Sequence, residues 1–443
     1  MKRITKIILL INLVSVPFIT AQEKITLSQA ITTALNQNST LIQTSNSLKI
    51  SEASVKSAYG GLLPTLNLNG GWSWQRVSNN QGNTQIDYLG NIENVGESQI
   101  DSRNYNLSLG GNFTVFDGLS SFKNISQKKT DLESAKLDLE KLKQDAILQT
   151  VNLFVLIMNY QKTLKFQEED LKYNKDLLEK IKGMHELKMI ANFDLYSQEY
   201  QTANSQLILL QAESEYEKAK LNLLTYLSKD ITKEYTFELD SSYVLDVIND
   251  LDNPEILYQT ALNRRADFNS QKLKLESGEY QLSIAKSGLY PNISGNYGFS
   301  TSAVKLGDIF NRKVYNFGLS LNIPIFSGWM TEYSIESALV QIKNSNEQLS
   351  ALERQIKTEV KAAMLDLKST QLQLEVTKTA VKSAKETWDI QREKYKLGTV
   401  TYIDQQLAYR DFVQATNNSI TAESNYIYKQ FTLLNALGLL NNQ

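Results

Sequence analysis

The chain has 443 residues, 46 lysines and arginines against 48 aspartates and glutamates, a formal net charge of −2, no cysteine and a single histidine, His185. Without cysteine there is no disulfide scaffold, cysteine-held metal, thiol catalysis or cysteine-linked lipid anchor; one histidine excludes multi-histidine metal sites and histidine-dependent triads. No basic block is present, so nucleic acid is not expected as a partner.

The chain opens MKRITKIILLINLVSVPFITAQ, with Lys2, Arg3 and Lys6 ahead of an apolar run from Ile7 to Ile19 and a small residue, Ala21, at a plausible cleavage point. This predicts a secretory signal peptide over 1–21. Loss of its three cations takes the net charge to −5. No later stretch approaches the roughly 18 apolar residues of a membrane-spanning helix, so the exported chain is expected either to be soluble or to form a β-barrel.

The remainder is written twice. ITTALNQN (Ile31 to Asn38) aligns with YQTALNRR (Tyr258 to Arg265) at an offset of 227, and GLLP (Gly61 to Pro64) falls on GLYP (Gly288 to Pro291) at the same offset. YNLSLGGNFTVFDG from Tyr105 aligns with YNFGLSLNIPIFSG from Tyr315 at an offset of 210, which then holds without a gap to Leu433-Leu434. The domains expected are a first repeat at 22–228, a mixed equatorial segment at 229–253 and a second repeat at 254–443. The change of offset marks one long loop, from Arg76, rich in Asn, Gly and Ser and without periodicity.

After each GLxP the pattern alternates. Leu66, Leu68, Trp72 and Trp74 oppose Asn67, Asn69, Ser73 and Gln75; Tyr105, Leu107, Leu109, Phe113 and Val115 oppose Asn106, Ser108, Asn112 and Thr114. The second copy sets Ile293, Tyr297 and Phe299, then Tyr315, Phe317, Leu319, Leu321, Ile323 and Ile325, against Asn, Ser and Gly. These are four strands in two hairpins, at about 64–116 and 291–326. Two hairpins of a soluble sandwich would show the same period. However, one face is rich in aromatics and the other is polar with almost no charge, the alternation of an outer-membrane barrel. Four strands cannot close a barrel, and an open edge has no partner in lipid. The chain is therefore expected to oligomerise, two copies supplying eight strands or three supplying twelve.

Asp117 to Leu187 and Ser327 to Leu397 each read as 71 helical residues, rods of roughly 100 Å. Apolar residues recur every seven, at Leu132, Leu139, Ala146, Leu153 and Tyr160, and at Val360, Leu367, Leu374, Val381, Trp388 and Tyr395, which predicts coiled-coil packing. Asn192 to Ser228 and Pro254 to Ser287 are return helices of 37 and 34 residues; stacked end to end they equal one long helix. Tyr402 to Gly438 and Leu27 to Gly60 do the same.

The duplicated TALN and GLxP blocks, the strand endings TVFDG and IPIFSG, and YKLGTVTYIDQQLAYRD at Tyr395 to Asp411 resemble the TolC-like outer membrane efflux proteins over essentially the whole mature chain. The resemblance implies an α+β membrane protein: a homotrimer with a 12-stranded outer-membrane β-barrel, four strands from each protomer, continued by a long α-helical coiled-coil barrel across the periplasm. It implies the exit duct of a tripartite efflux pump or type I secretion system, a passive gated channel-tunnel whose partners are a periplasmic adaptor (membrane fusion) protein, an inner-membrane transporter and outer-membrane lipid. It implies neither catalysis nor a cofactor. A structural or adhesive coiled-coil surface protein is the alternative.

By position, the resemblance places the periplasmic tip and the adaptor dock at Met189, Ile190 and Ala191 and at Leu397, Gly398, Thr399, Val400 and Thr401. It places an aperture gate at Asp194, Asp404 and Tyr395. Gly398 matches the tip glycine, whereas Lys188 stands at the corresponding place in the first copy and Leu407 stands where a second acid is frequent. Asp194 and Asp404 either ring the aperture or act as N-caps just after the turns. The Tyr395 hydroxyl either bonds an acid such as Asp194 or packs in the seam, and His185, its counterpart in the first copy, is expected to be structural. Trp72, Trp74 and Trp329 are expected as membrane-interface aromatics.

Overall fold

The computed structural model describes residues 23–79, 83–86, 88–90, 92–95, 98–239 and 253–440. The expected signal peptide at 1–21 and residues 240–252 of the expected equatorial segment lie outside the described residues. In chain order the elements are β1 (Glu23–Thr26), α1 (Leu27–Gln37), α2 (Ser39–Gly60), β2 (Asn67–Asn79), β3 (Asn83–Ile86), β4 (Ile92–Val95) and β5 (Ser98–Phe116). Then come α3 (Ser120–Glu186), α4 (Asn192–Tyr226), β6 (Tyr235–Glu238), α5 (Pro254–Arg264) and α6 (Ala266–Ser287). The last four are β7 (Asn292–Ala303), β8 (Val314–Asn322), α7 (Met330–Lys396) and α8 (Tyr402–Ala436).

The alternating segments form one antiparallel sheet in the order β2–β5–β7–β8. Its register puts Trp72 opposite Tyr105, Leu109 between Leu68 and Phe299, and Phe299 opposite Tyr315, so a single face collects the aromatics. That face is open: Leu68, Trp72, Phe317 and Leu321 are each more than 60 % exposed. On the other face asparagines lie over glycines, and a Cβ at Gly298 or Gly318 would stand 2.7 or 2.8 Å from the Asn316 or Asn296 carboxamide oxygen. A bulge between Thr114 and Phe116 brings Phe116, rather than Val115, opposite Ile293. No helix among the described residues is long and apolar enough to cross a membrane.

The structureless loop expected from Arg76 is instead ribbon. β2 and β5 stay paired out to Asn79 and Ser98, and β3 pairs with β4 beyond them. Polar cross-strand pairs hide this from an apolar-period reading; Arg76 grips Asp101 through two hydrogen bonds of 2.7 and 2.8 Å.

The rods are present, 67 residues each in α3 and α7. They begin three residues later than expected, because the chain first turns through two consecutive left-handed residues, Gly118 and Leu119 in one copy and Gly328 and Trp329 in the other. The 34-residue return helices are each broken. α1 and α5 have 11 residues, α2 and α6 have 22, and Asn38 and Arg265 between them are extended. Asn38 ends α1 and caps α2, its Oδ1 accepting from Thr40 and Leu41 N–H, a role asparagine favours. Arg265 is held by Asp267 at 2.7 Å and Glu359 at 2.5 Å.

Along α3, α6 and α2 pack toward the sheet while α4 and α8 pack toward the far end. Midway lies the core: Leu27, Ile147, Val151, Phe154, Leu223, Phe237 and Phe431 in one cluster, and Ile356, Val360, Leu367, Leu433 and Leu437 in a second. A parallel β1–β6 pair closes over it, with Phe237 edge-on to Phe154 at 6.1 Å. Four-residue strands are too short to show a period, so this pair was not expected.

Candidate functional site: the hairpin tips and the joint above them

Both long helices end in the same turn. Lys188 N–H donates to His185 C=O and Met189 N–H to Met184 C=O, while Gly398 N–H donates to Tyr395 C=O and Thr399 N–H to Lys394 C=O. This geometry needs a left-handed residue, and φ is 58° at Lys188 and 71° at Gly398. Glycine adopts it freely, whereas a lysine is held there against its own Cβ. The next helix also starts differently. Thr401 caps α8, its hydroxyl accepting from Asp404 N–H at 3.2 Å while its own N–H donates to the Asp404 carboxylate at 3.0 Å. Ala191 precedes α4 with no side-chain cap. The first tip is strained and uncapped; the second is relaxed and capped.

The expected docking residues gather at these two turns. Met189 and Leu397 are 66 % and 78 % exposed, Ala191, Gly398, Thr399 and Thr401 are exposed, and Ile190 and Val400 are half-buried. Asp404 is exposed and is not the N-cap: it is the third residue of α8, reciprocal to Thr401, whose hydroxyl and N–H hold its carboxyl below the usual range. Nor is Asp194 an N-cap, since it lies three residues after Ala191 and only its own N–H reaches back. Tyr395 meets Tyr402 edge-on at 6.2 Å. Burial first and Asp194 second raise its pKa, but no hydrogen bond joins Tyr395 to Asp194 among the described residues. His185 Nε2 spans its turn to Asn192 Oδ1 at 2.6 Å, a structural contact. Trp72 and Trp74 stand on β2 at the end of the sheet where β7 stops, and Trp329 stands at the junction of sheet and α7, 5.9 Å from Phe326.

Above the tips lies a buried polar cluster that the sequence reading missed. Tyr409 Oη donates to Asp170 Oδ1 at 2.5 Å, and Asn174 Nδ2 donates to Asp170 Oδ2 at 3.2 Å and Ser205 Oγ at 2.9 Å. Gln198 Nε2 donates to Asn174 Oδ1 at 3.1 Å, while Gln198 Oε1 accepts from Tyr402 Oη at 2.6 Å and Gln406 Nε2 at 2.9 Å. Gln405 Nε2 donates to Tyr173 Oη at 2.7 Å. Asn174 and Gln198 are fully buried and Asp170 is 5 % exposed. Burial, then Asp170, pushes the Tyr409 phenol far up, so it stays a donor. The signal was available: the heptad through Leu153 and Tyr160 continues to Gln167 and Asn174, polar residues in seam positions.

A sheet with an open apolar face on rods of roughly 100 Å matches known channels. The solved structure of the transmembrane channel CusC superposes with a TM-score of 0.80 at 17% identity, covering 93% of this chain and 92% of that one. The outer membrane protein TolC of Salmonella enteritidis is 22% identical over 355 residues, 78% of this chain and 71% of its own length. The pyoverdine export outer membrane protein OpmQ of Pseudomonas putida is 21% identical over 424 residues, 93% of this chain and 85% of its own length. The sequence profile of the outer membrane efflux proteins matches residues 30–229 and 257–439. The chain belongs to the outer membrane efflux protein family.

Proposed function

We propose that three copies close the four-stranded sheets into one 12-stranded barrel and continue it as a helical tunnel through the periplasm. The chain is an outer-membrane efflux protein, and the observation that carries the trimer is the sheet itself. β2 and β8 are both unpaired edges, and the exposed aromatic face needs lipid, where open edges cannot persist. Trp72, Trp74 and Trp329 bracket that face and mark its two interfaces with water. Equal helix lengths at 120–186 and 330–396, and at 192–226 and 402–436, support two repeats, at 22–228 and 254–443, about an equatorial segment at 229–253.

Export is driven from the inner membrane: a transporter supplies the energy, and a periplasmic adaptor docks on the apolar residues of the tips, Met189, Ile190 and Leu397 among them. Asp194 and Asp404 face the aperture. The adhesive reading finds no support in the family. The native mass of the detergent-extracted protein tests the assembly, and a monomer refutes it; planar-bilayer conductance tests the duct. Cation preference that survives Asp404→Ala removes that residue from the gate.

A further inference from the structure

Between α3, α7 and α8, on the tip side of the contact from Tyr409 to Asp170, lies a cavity of about 460 Å³, within the range of small-molecule sites. Leu177, Ile181 and Met184 of α3 and Tyr395 of α7 give it apolar and aromatic walls, and Tyr173, Arg392 and Gln405 line its floor. Its rim is charged but balanced. Asp176 and Lys180 are exposed and carry no ion pair among the described residues, Lys396 is paired with Glu393 at 2.7 Å, and Arg392 is paired with Asp389 at 2.9 Å. Net charge therefore does not select what enters.

Two buried polar atoms of the floor do. Gln405 is 1 % exposed; its Nε2 donates to Tyr173 Oη at 2.7 Å, but its Oε1 accepts from no group among the described residues. Arg392 Nε is also buried without a hydrogen bond. Glu393 Oε1 stands 3.9 Å from it, beyond hydrogen-bonding reach, and the guanidinium lies over the Trp388 ring, 4.7 Å from its centroid. A buried donor or acceptor left in this state costs free energy. Nor does the fold require either residue here: 210 positions earlier Leu195 stands in place of Gln405, and Lys182, which reaches Glu199 at 3.5 Å, in place of Arg392.

We propose that this cavity binds a small amphipathic secondary amide, of which an N-acylated aromatic amino acid or short peptide fragment is the simplest kind. The amide N–H donates to Gln405 Oε1, a carbonyl accepts from Arg392 Nε, and the ring packs on Leu177, Ile181, Met184 and Tyr395. A secondary amide is a neutral group that offers one donor and one acceptor side by side, and the two unmet atoms ask for one of each. A purely apolar ligand would leave both unpaired, and a purely ionic one gains nothing from a balanced rim. The assignment does not rest on the duct reading.

Isothermal titration of the purified detergent-solubilised protein with N-acetyl-L-phenylalaninamide tests it. Saturable binding, one ligand per chain, is expected with Kd on the order of 1 mM or tighter. The analogue methylated at every amide nitrogen keeps the ring and both carbonyls but has no N–H. It should bind about tenfold more weakly, because it leaves Gln405 Oε1 unpaired. Gln405→Leu, which installs the side chain that the other copy carries, should weaken the parent amide to the level of the methylated analogue and abolish the difference between them. Arg392→Lys should weaken both ligands alike, since both keep the carbonyl. The comparison of the two ligands on the unaltered protein stands whether or not the variants fold. Absence of saturable binding, equal affinity of the wild-type protein for the two ligands, or a tenfold preference that survives in a folded Gln405→Leu overturns the proposal.

Discussion

The same four long helices run through the equator and the tip, but they are held by different forces at the two places. At the equator two apolar clusters, a β1–β6 pair and the Arg265 ion pairs close on one another. Toward the tip the seam turns to Asp, Asn, Gln and Tyr, most of them buried and bonded through groups that water can replace. The rod is thus held by apolar packing, a strand pair and ion pairs at the equator, and by a largely buried polar cluster toward the tip.

The largest way to break that contrast is at the equator. Phe154→Ala, at a fully buried position against Phe237, should cost about 3–5 kcal/mol in chemical denaturation; a loss no greater than that of a tip substitution would abolish the distinction. Arg265→Ala comes next, at about 3 kcal/mol, since it strands Asp267 and Glu359. Burial works against the charged form of Asp267, but the Arg265 hydrogen bonds and charge outweigh it and hold the carboxyl below its usual range. A depressed carboxyl stabilises fully above its unfolded pKa, near ~4, and that contribution is lost as pH falls through the lower folded value. The melting temperature should therefore drop below about pH 4, and Arg265→Ala should flatten that dependence.

Smaller effects separate the two tips. Lys188→Gly should stabilise by about 1 kcal/mol by releasing the left-handed strain, and Gly398→Ala should destabilise by about the same; equal, same-signed effects would remove the asymmetry. Thr401→Ala should cost about 1 kcal/mol as a lost cap, whereas Ala191→Ser should recover a similar amount in α4. Each is read by thermal melting of the extracted protein.

Much of this was legible before any coordinates. Alternation over ten residues, as from Tyr105 to Thr114, and heptads over seventy need no neighbour to identify them. The breaks at Asn38 and Arg265 were harder, because a helix split by one extended residue keeps its length and nearly its period; a capping side chain marks the first and none marks the second. The ribbon beyond Arg76 was missed because most of its pairs are polar and its apolar ones, Val77 with Ile100 and Ile86 with Ile92, stand too far apart to set a period. The joint above the tips was missed because attention to apolar heptads stops where Gln167 and Asn174 begin.

By itself the sequence determined the long helices, their lengths and the four long strands with their aromatic face, since period and length are local properties. Tertiary structure alone decided which helix meets which. Whether Asn174, Gln198 and Tyr409 are solvated polar residues or a buried hydrogen-bonded cluster depends on α8 lying against α3 and α4, groups 24 to 239 residues apart in the chain. Burial converts such groups from neutral to decisive: each must then find its partner in another element or leave a polar atom unpaired.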